Sequence, residues 1–165
     1  MTKHGFTLVE MVIVIVLTLI LTAAAIHGLI GISEWRAAAA VRRVYADVLY
    51  ARNRALLSGR RTLCVFDAGA GTYELRQESS PASGAISATV IDHPLSGQAW
   101  QVALGDLSGG LGISSAPTPT FGFGSDGMPI DASGVLISGD IDLTFTSGAT
   151  LTVLAGSGLP EVTWP

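Results

Sequence analysis

The stretch Gly5-Phe6-Thr7-Leu8-Val9-Glu10, running on into Met11-Val12-Ile13-Val14-Ile15-Val16-Leu17, decides how this chain of 165 residues is read. No Asp, Glu, Lys or Arg falls between Met11 and Ser33, and Lys3, Glu10 and Glu34 bracket the run. A helix needs roughly 20 mainly apolar residues to cross about 30 Å of hydrocarbon, so the run is long enough to span a membrane. Three readings compete. The segment is an uncleaved transmembrane anchor, or a secretory signal peptide cut at the small residues Ala23-Ala24-Ala25, or a segment that stays in the mature protein after a cut on its N-terminal side.

Glu10 separates them. An acidic residue at mid-bilayer costs about 2.5–3.5 kcal/mol, and ionisable residues there are usually partnered and functional. A signal peptide or a plain anchor gains nothing from it, and it cancels the charge of Lys3. Cleavage after Gly5 would expose the amine of Phe6 about one helical turn from Glu10. In a filament core, that amine and a neighbouring subunit's carboxylate would neutralise each other, replacing two desolvated charges with one pair.

Gly5 to Glu10 resembles the prepilin peptidase motif of type IV pilins and type II secretion pseudopilins almost letter for letter. The resemblance implies cleavage between Gly5 and Phe6, N-methylation of Phe6 and a charge-pairing role for Glu10 in filament assembly. Lys3 then serves as the basic residue of a cytoplasmic leader, in keeping with the positive-inside rule.

Beyond the apolar run the sequence predicts that the helix continues. Residues 35–57 contain neither Pro nor Gly and are rich in the helix formers Ala, Arg and Leu. Val41, Val44, Tyr45, Val48, Ala51, Ala55 and Leu56 recur at three- and four-residue spacing and define an apolar face. Ser58-Gly59 is the expected stop, with glycine as the left-handed cap. After Gly59 the pattern changes to short alternating runs separated by Gly, Ser, Pro and Asp. Residues 61–66 and 72–77 read as a hairpin around Asp67-Ala68-Gly69-Ala70-Gly71. Further strands are expected at 86–91, 99–104, 120–123, 134–137, 141–146, 150–154 and 161–164, with 108–119 as a mobile loop.

The expected architecture is α+β. A leader (1–5) precedes a transmembrane and filament-core helix (6–33), its amphipathic continuation (34–58) and a β-rich periplasmic head (59–165). The amphipathic half-helix is expected to pack on an antiparallel sheet or sandwich. Asp47 to Ala55 with Gly59 to Cys64, and Phe121 to Pro129 with Gly156-Ser157-Gly158, resemble the GspH/FimT group of minor pseudopilins and minor pilins. The arginine often found near the final glycine in that group is lacking here. The resemblance implies a pilin fold and a GspH-type minor pseudopilin of a type II secretion system. Its implied partners are prepilin peptidase, other pseudopilins or pilins and an inner-membrane assembly platform. A FimT-like minor pilin of a type IV pilus is the alternative, and a soluble β-domain released after Ala25 is the second.

Charge and composition narrow the classes. All nine Lys and Arg lie at or before Arg76, and every charged residue after it is acidic, so no nucleic-acid partner is expected. The mean hydropathy is +0.51. One cysteine, Cys64, rules out an intrachain disulfide and reads as a small buried hydrophobe. His4, His27 and His93 have no metal-ligand spacing, and no catalytic set is evident, so neither an enzyme nor a cofactor nor a metal is expected. Asp140 and Asp142 are expected on one strand face as a solvated pair rather than a calcium site. Arg36, Arg42, Arg43, Arg52, Arg54, Arg60 and Arg61 form the basic cluster. Either it complements acidic neighbours in a filament, or it is a solvated face with local pairs such as Arg43 with Asp47.

Overall fold

A single helix, α1 (Leu8–Ser58), occupies 51 residues and precedes every strand. The computed structural model describes residues 7–79 and 87–165, and the side chains of residues 24–32 lie outside that description. The chain divides into two compact units, Met1–Trp35 and Arg36–Pro165. Among the described residues no helix is long and apolar enough to cross a membrane. The span expected over 6–33 includes residues and side chains beyond those described.

In the second unit the period of α1 becomes packing. Val41, Val44, Val48, Ala51 and Ala55 are all fully buried. Two of the seven positions expected on that face behave otherwise: Tyr45 is half-buried and Leu56 is exposed. Leu56 sits in the last turn of the helix, two residues from its end, with its side chain against Gly127 and its outer side in solvent. The helix stops as expected. Gly59 takes φ +66°, and its N–H reaches the Ala55 carbonyl at 3.0 Å, an αL termination open to glycine because it lacks a Cβ.

Two antiparallel sheets follow. The first contains β1 (Thr62–Asp67), β2 (Thr72–Glu78), β3 (Ala88–Val90), β4 (Gln101–Ala103), β6 (Thr120–Phe123) and β7 (Pro129–Asp131). Its order is β3-β2-β1-β6-β7, with β4 also pairing β2. The second sheet, β10-β9-β8-β5, is formed by β5 (Ile113–Ser115), β8 (Ile141–Phe145), β9 (Thr150–Val153) and β10 (Pro160–Thr163). Alternation along the strands turns Cys64, Phe66, Tyr73, Leu75, Phe121 and Phe123 of the first sheet into one apolar cluster. Ile141, Leu143, Phe145, Leu151 and Val153 of the second sheet and the α1 stripe complete it. Phe66 stacks on Phe121 at 5.7 Å and on Tyr73 at 5.4 Å.

Three expectations are modified for identifiable reasons. The 108–119 segment is not simply a loop: Ile113 is buried and pairs with Phe145 of β8. The strand expected at 134–137 is reduced to an isolated bridge, Leu136 to Ile130 of β7, flanked by hydrogen bonds from the Asp131 N–H to the Val135 carbonyl at 2.9 Å and from the Ile137 N–H to the Pro129 carbonyl at 3.0 Å. Asp131 Oδ1 accepts the N–H groups of Ser133 at 2.8 Å and Val135 at 2.9 Å, which turns the chain at the end of β7. The strand expected at 99–104 is shortened by a one-turn helix, α2 (Leu104–Leu107).

Asp47 departs furthest from expectation. One of the two readings of the basic cluster put it at the surface beside Arg43, yet it is buried. Its Oδ2 accepts the Tyr73 hydroxyl at 2.5 Å and the Trp100 indole N–H at 3.2 Å. A buried carboxylate needs such donors, and here they join α1 to β2 and to the residue before β4. Asp47→Ala in the full chain leaves both donors buried without an acceptor and is expected to cost about 2–4 kcal/mol. Asp47→Asn, which keeps an acceptor oxygen, is expected to cost less than half of that. Urea unfolding in detergent measures both, and an unchanged midpoint for Asp47→Ala would contradict the assignment.

Candidate functional site

The N-terminus is the first candidate. Gly5, Phe6 and the leader residue Lys3 lie outside the described residues. Glu10 is within them, exposed, in the first turn of α1. Thr7 precedes that turn, and its hydroxyl and carbonyl both accept the Glu10 N–H, at 3.3 and 3.1 Å. Thr7-Leu8-Val9-Glu10 therefore has the spacing of a capping box, a signal the sequence reading passed over. Among the described residues the Glu10 carboxylate accepts no hydrogen bond, so its charge meets only the favourable positive end of the helix dipole.

Among the described residues the helix surface that follows Glu10 is almost wholly apolar. The large hydrophobic side chains from Leu8 to Leu21 are each 48–80% exposed. A helix that is apolar all round is stable only when other apolar material covers it. Its hydroxyls are satisfied within the helix: Thr18 donates to Val14 O at 2.8 Å, and Thr22 donates to Thr18 O at 2.7 Å. Threonines bonded in this way add little cost in an apolar surround.

In the head, the expected basic cluster separates into different roles. Arg61 pairs with Glu78, and Arg76 with Glu74. Arg54 donates to Gln77 Oε1 and to the Tyr50 hydroxyl, both at 3.1 Å. Arg42 lies over the Trp164 ring, 5.8 Å from its centroid. Arg36, Arg43 and Arg60 are exposed and enter no ion pair among the described residues.

Arg52 is where the two C-terminal motifs meet. Its Nη2 donates to the Ser157 carbonyl at 3.0 Å. Gly158, with φ +66°, lies so close to Gly127 that any Cβ would overlap the Gly127 carbonyl oxygen. Gly122 likewise leaves no room between β6 and β1, where a Cβ would meet the Thr62 carbonyl and the Leu63 side chain. Gly127 and Gly158 are thus close-packing positions that, with Arg52, hold the last turn near the end of α1.

The remaining candidates do not form a reactive centre. Cys64 is fully buried, and burial, followed by the nearby Asp47 charge, pushes its thiol pKa up. Burial and Asp47 likewise raise the Tyr73 phenol. His93 packs against Trp100 with the rings tilted at 47° and their centroids 4.4 Å apart. Asp140 lies just before β8 and accepts the Ala155 N–H at 2.8 Å, while Asp142 accepts the Thr152 hydroxyl at 2.7 Å. Among the described residues no three His, Cys, Asp or Glu side chains are grouped to hold a metal.

With this geometry in place, the likenesses fall into two parts. Residues 1–26 match the model of the prokaryotic N-terminal methylation motif. The structure is similar to that of the minor pseudopilin EpsH from the type 2 secretion system of Vibrio cholerae. The TM-score is 0.55 at 14% identity, over 79% of this chain and 96% of that one. The fold is pilin-like. No curated protein matches the sequence.

The tight contact at Gly158 is directly testable. Gly158→Ala forces a Cβ into both a left-handed backbone and the Gly127 carbonyl, and is expected to cost about 2 kcal/mol or more. Gly156→Ala, at a position with open space and no positive φ, is expected to stay within about 0.5 kcal/mol of the parent. Equal unfolding midpoints for the two variants would contradict this role.

Proposed function

We propose that this chain is a minor pseudopilin of a type II secretion system, a structural subunit of a periplasmic pseudopilus used in protein export. The observation that carries the reading is a methylation motif over residues 1–26 leading into one helix that continues, as α1, into a head of pilin-like fold. In this reading prepilin peptidase removes Met1–Gly5 and Phe6 becomes N-methylated. The apolar segment first holds the subunit in the inner membrane, then packs in the filament core. Glu10 pairs there with the amine of an adjacent subunit. The assembly platform and the other pseudopilins are its partners, and the head's task is packing and recognition rather than chemistry.

The exposed apolar surface from Leu8 to Leu21 supports a helix that is covered only after insertion or assembly. The unbroken run of α1 through Ala23-Ala24-Ala25 favours a retained segment over release of a soluble domain at Ala25. A FimT-like minor pilin uses the same processing and the same core helix, and the genes around the locus separate the two systems.

Intact mass and N-terminal peptide mapping of the chain co-expressed with a prepilin peptidase test the reading. The expected product begins at N-methylated Phe6 and resides in the membrane. A product beginning near Ile26 in the soluble fraction would refute it. Glu10→Ala is expected to leave processing unchanged and to impair incorporation into filaments, read by shearing and immunoblotting. Normal incorporation would remove the charge-pairing role.

A further inference from the structure

One half-buried cation lies without a counter-charge where the C-terminal turn closes on α1. The Arg52 Nη2 donates to the Ser157 carbonyl at 3.0 Å, and its Nε is buried with no acceptor. Nη1 donates to nothing, and no Asp or Glu pairs with Arg52, among the described residues. Its neighbours are better served. Arg61 and Arg76 hold glutamates, Arg54 has two side-chain acceptors, and Arg42 has an aromatic face. Asp126, beside Gly127, is turned into its own loop and accepts the Met128 N–H at 3.0 Å. A guanidinium held by one neutral carbonyl has lost hydration without gaining an equal partner.

What surrounds it is apolar and open. Arg52 and Leu56 are four residues apart and share a face of α1. Leu56 rests on Gly127, Gly127 meets Gly158, and a Cβ on Gly158 would come within 3.2 Å of the Arg52 Nε. The fork therefore lies at the Gly127–Gly158 contact, with Leu56 and Leu159 next to it. Those leucines are 41% and 44% exposed. Nucleic acid is held by many cations along its backbone, and here one guanidinium sits among leucines. Exposed leucines favour an apolar cover, and the fork favours a carboxylate, which accepts two parallel N–H bonds. A peptide segment with Asp or Glu beside apolar side chains meets both demands.

We propose that Arg52, Leu56 and Leu159 form a docking site for an acidic, apolar-flanked segment of a different protein subunit. The carboxylate bonds the unused N–H groups of Nη1 and Nη2, and the flanking side chains cover the two leucines. The inference rests on the filament reading above and adds to it the head surface that meets a neighbour.

The test uses the full chain, co-expressed with prepilin peptidase, labelled with ¹⁵N and held in detergent micelles. Burial shields the Arg52 Nε–H from exchange with water, so its NMR signal reports on the fork, and Arg52→Lys assigns it. The probe is acetyl-leucyl-aspartyl-leucine amide, with the asparaginyl peptide as its control. The aspartyl peptide is expected to shift the signal saturably and to bind about tenfold more tightly than the control. Leu159→Ser, a surface change, is expected to weaken it about threefold through lost apolar contact. In cells, Arg52→Lys with Leu159→Ser is expected to lower incorporation into filaments several-fold with processing unchanged.

Equal shifts by the two peptides, or an equal shift by inorganic phosphate, overturn the carboxylate site. So does a shift that grows with protein concentration alone, since the occupant is then a second copy. Normal incorporation of the double variant overturns it as well. The peptide titration of the parent chain stands whether or not a variant folds. In each of these cases, chains begun at N-methylated Phe6 leave the filament reading intact. Chains left uncut after Gly5 refute that reading, and docking to a neighbouring subunit falls with it.

Discussion

A helix can lie against two sheets at once only if the side chains it turns toward them are small. In the head that requirement is met by Val41, Val44, Val48, Ala51 and Ala55, each without exposed surface. Bulk comes from the sheets instead, as Phe66, Tyr73, Phe121, Phe123 and Phe145. Such a stripe gives cohesion but little register, since valine and alanine at helical spacing look alike after a slide of one turn. Asp47 removes that ambiguity. Its carboxylate must meet both the Tyr73 hydroxyl and the Trp100 indole N–H, and a displaced helix would leave three polar groups buried and unpaired.

The same demand for close approach recurs where α1 ends. Leu56 leans on Gly127, Arg52 holds the Ser157 carbonyl, and Gly158 lies on Gly127 with no space for a Cβ. The C-terminal turn is therefore fixed to the helix by backbone proximity and one guanidinium, not by a further apolar layer. Gly122 plays the matching part at the β1–β6 seam. Residues that resemble a family motif in sequence thus act as contact points that hold the distant end of the chain onto α1.

Legibility followed the range of the interactions involved. Elements specified by their own residues could be read in advance: the α1 stripe by its period, the helix stop by Gly59, the first hairpin by the turn between β1 and β2. Elements specified by distant partners could not. β5 is three residues with a single buried side chain, and it becomes a strand because β8 is beside it. β7 was missed for a local reason that was available, since Asp131-Ala132-Ser133-Gly134 is a turn in which the aspartate caps the reversal. Asp47 looked like surface because helical spacing shows only what shares its face; its donors lie 26 and 53 residues away. At the candidate site the motif from Gly5 to Glu10 was readable outright, whereas the sorting of arginines into paired and free depended on where the strands placed Glu74 and Glu78.

Glu10 joins the local and the long-range parts of this chemistry. In the spacing Thr7-Leu8-Val9-Glu10 a helix start can be capped twice, once by the threonine hydroxyl and once by the carboxylate reaching back. Here the threonine side is made, at 3.3 Å to the Glu10 N–H. Among the described residues the carboxylate side is not. The helix start is therefore held without using the Glu10 charge, and that charge stays available to a second partner. An exposed carboxylate beside an all-round apolar surface is tolerable in water, but costly once lipid or other helices cover it. Whatever covers Leu8 to Leu21 must therefore bring a positive group to Glu10 or leave this turn at a polar boundary. In the proposed reading, the amine of an adjacent processed helix would meet the first condition without placing a basic side chain in the apolar surface.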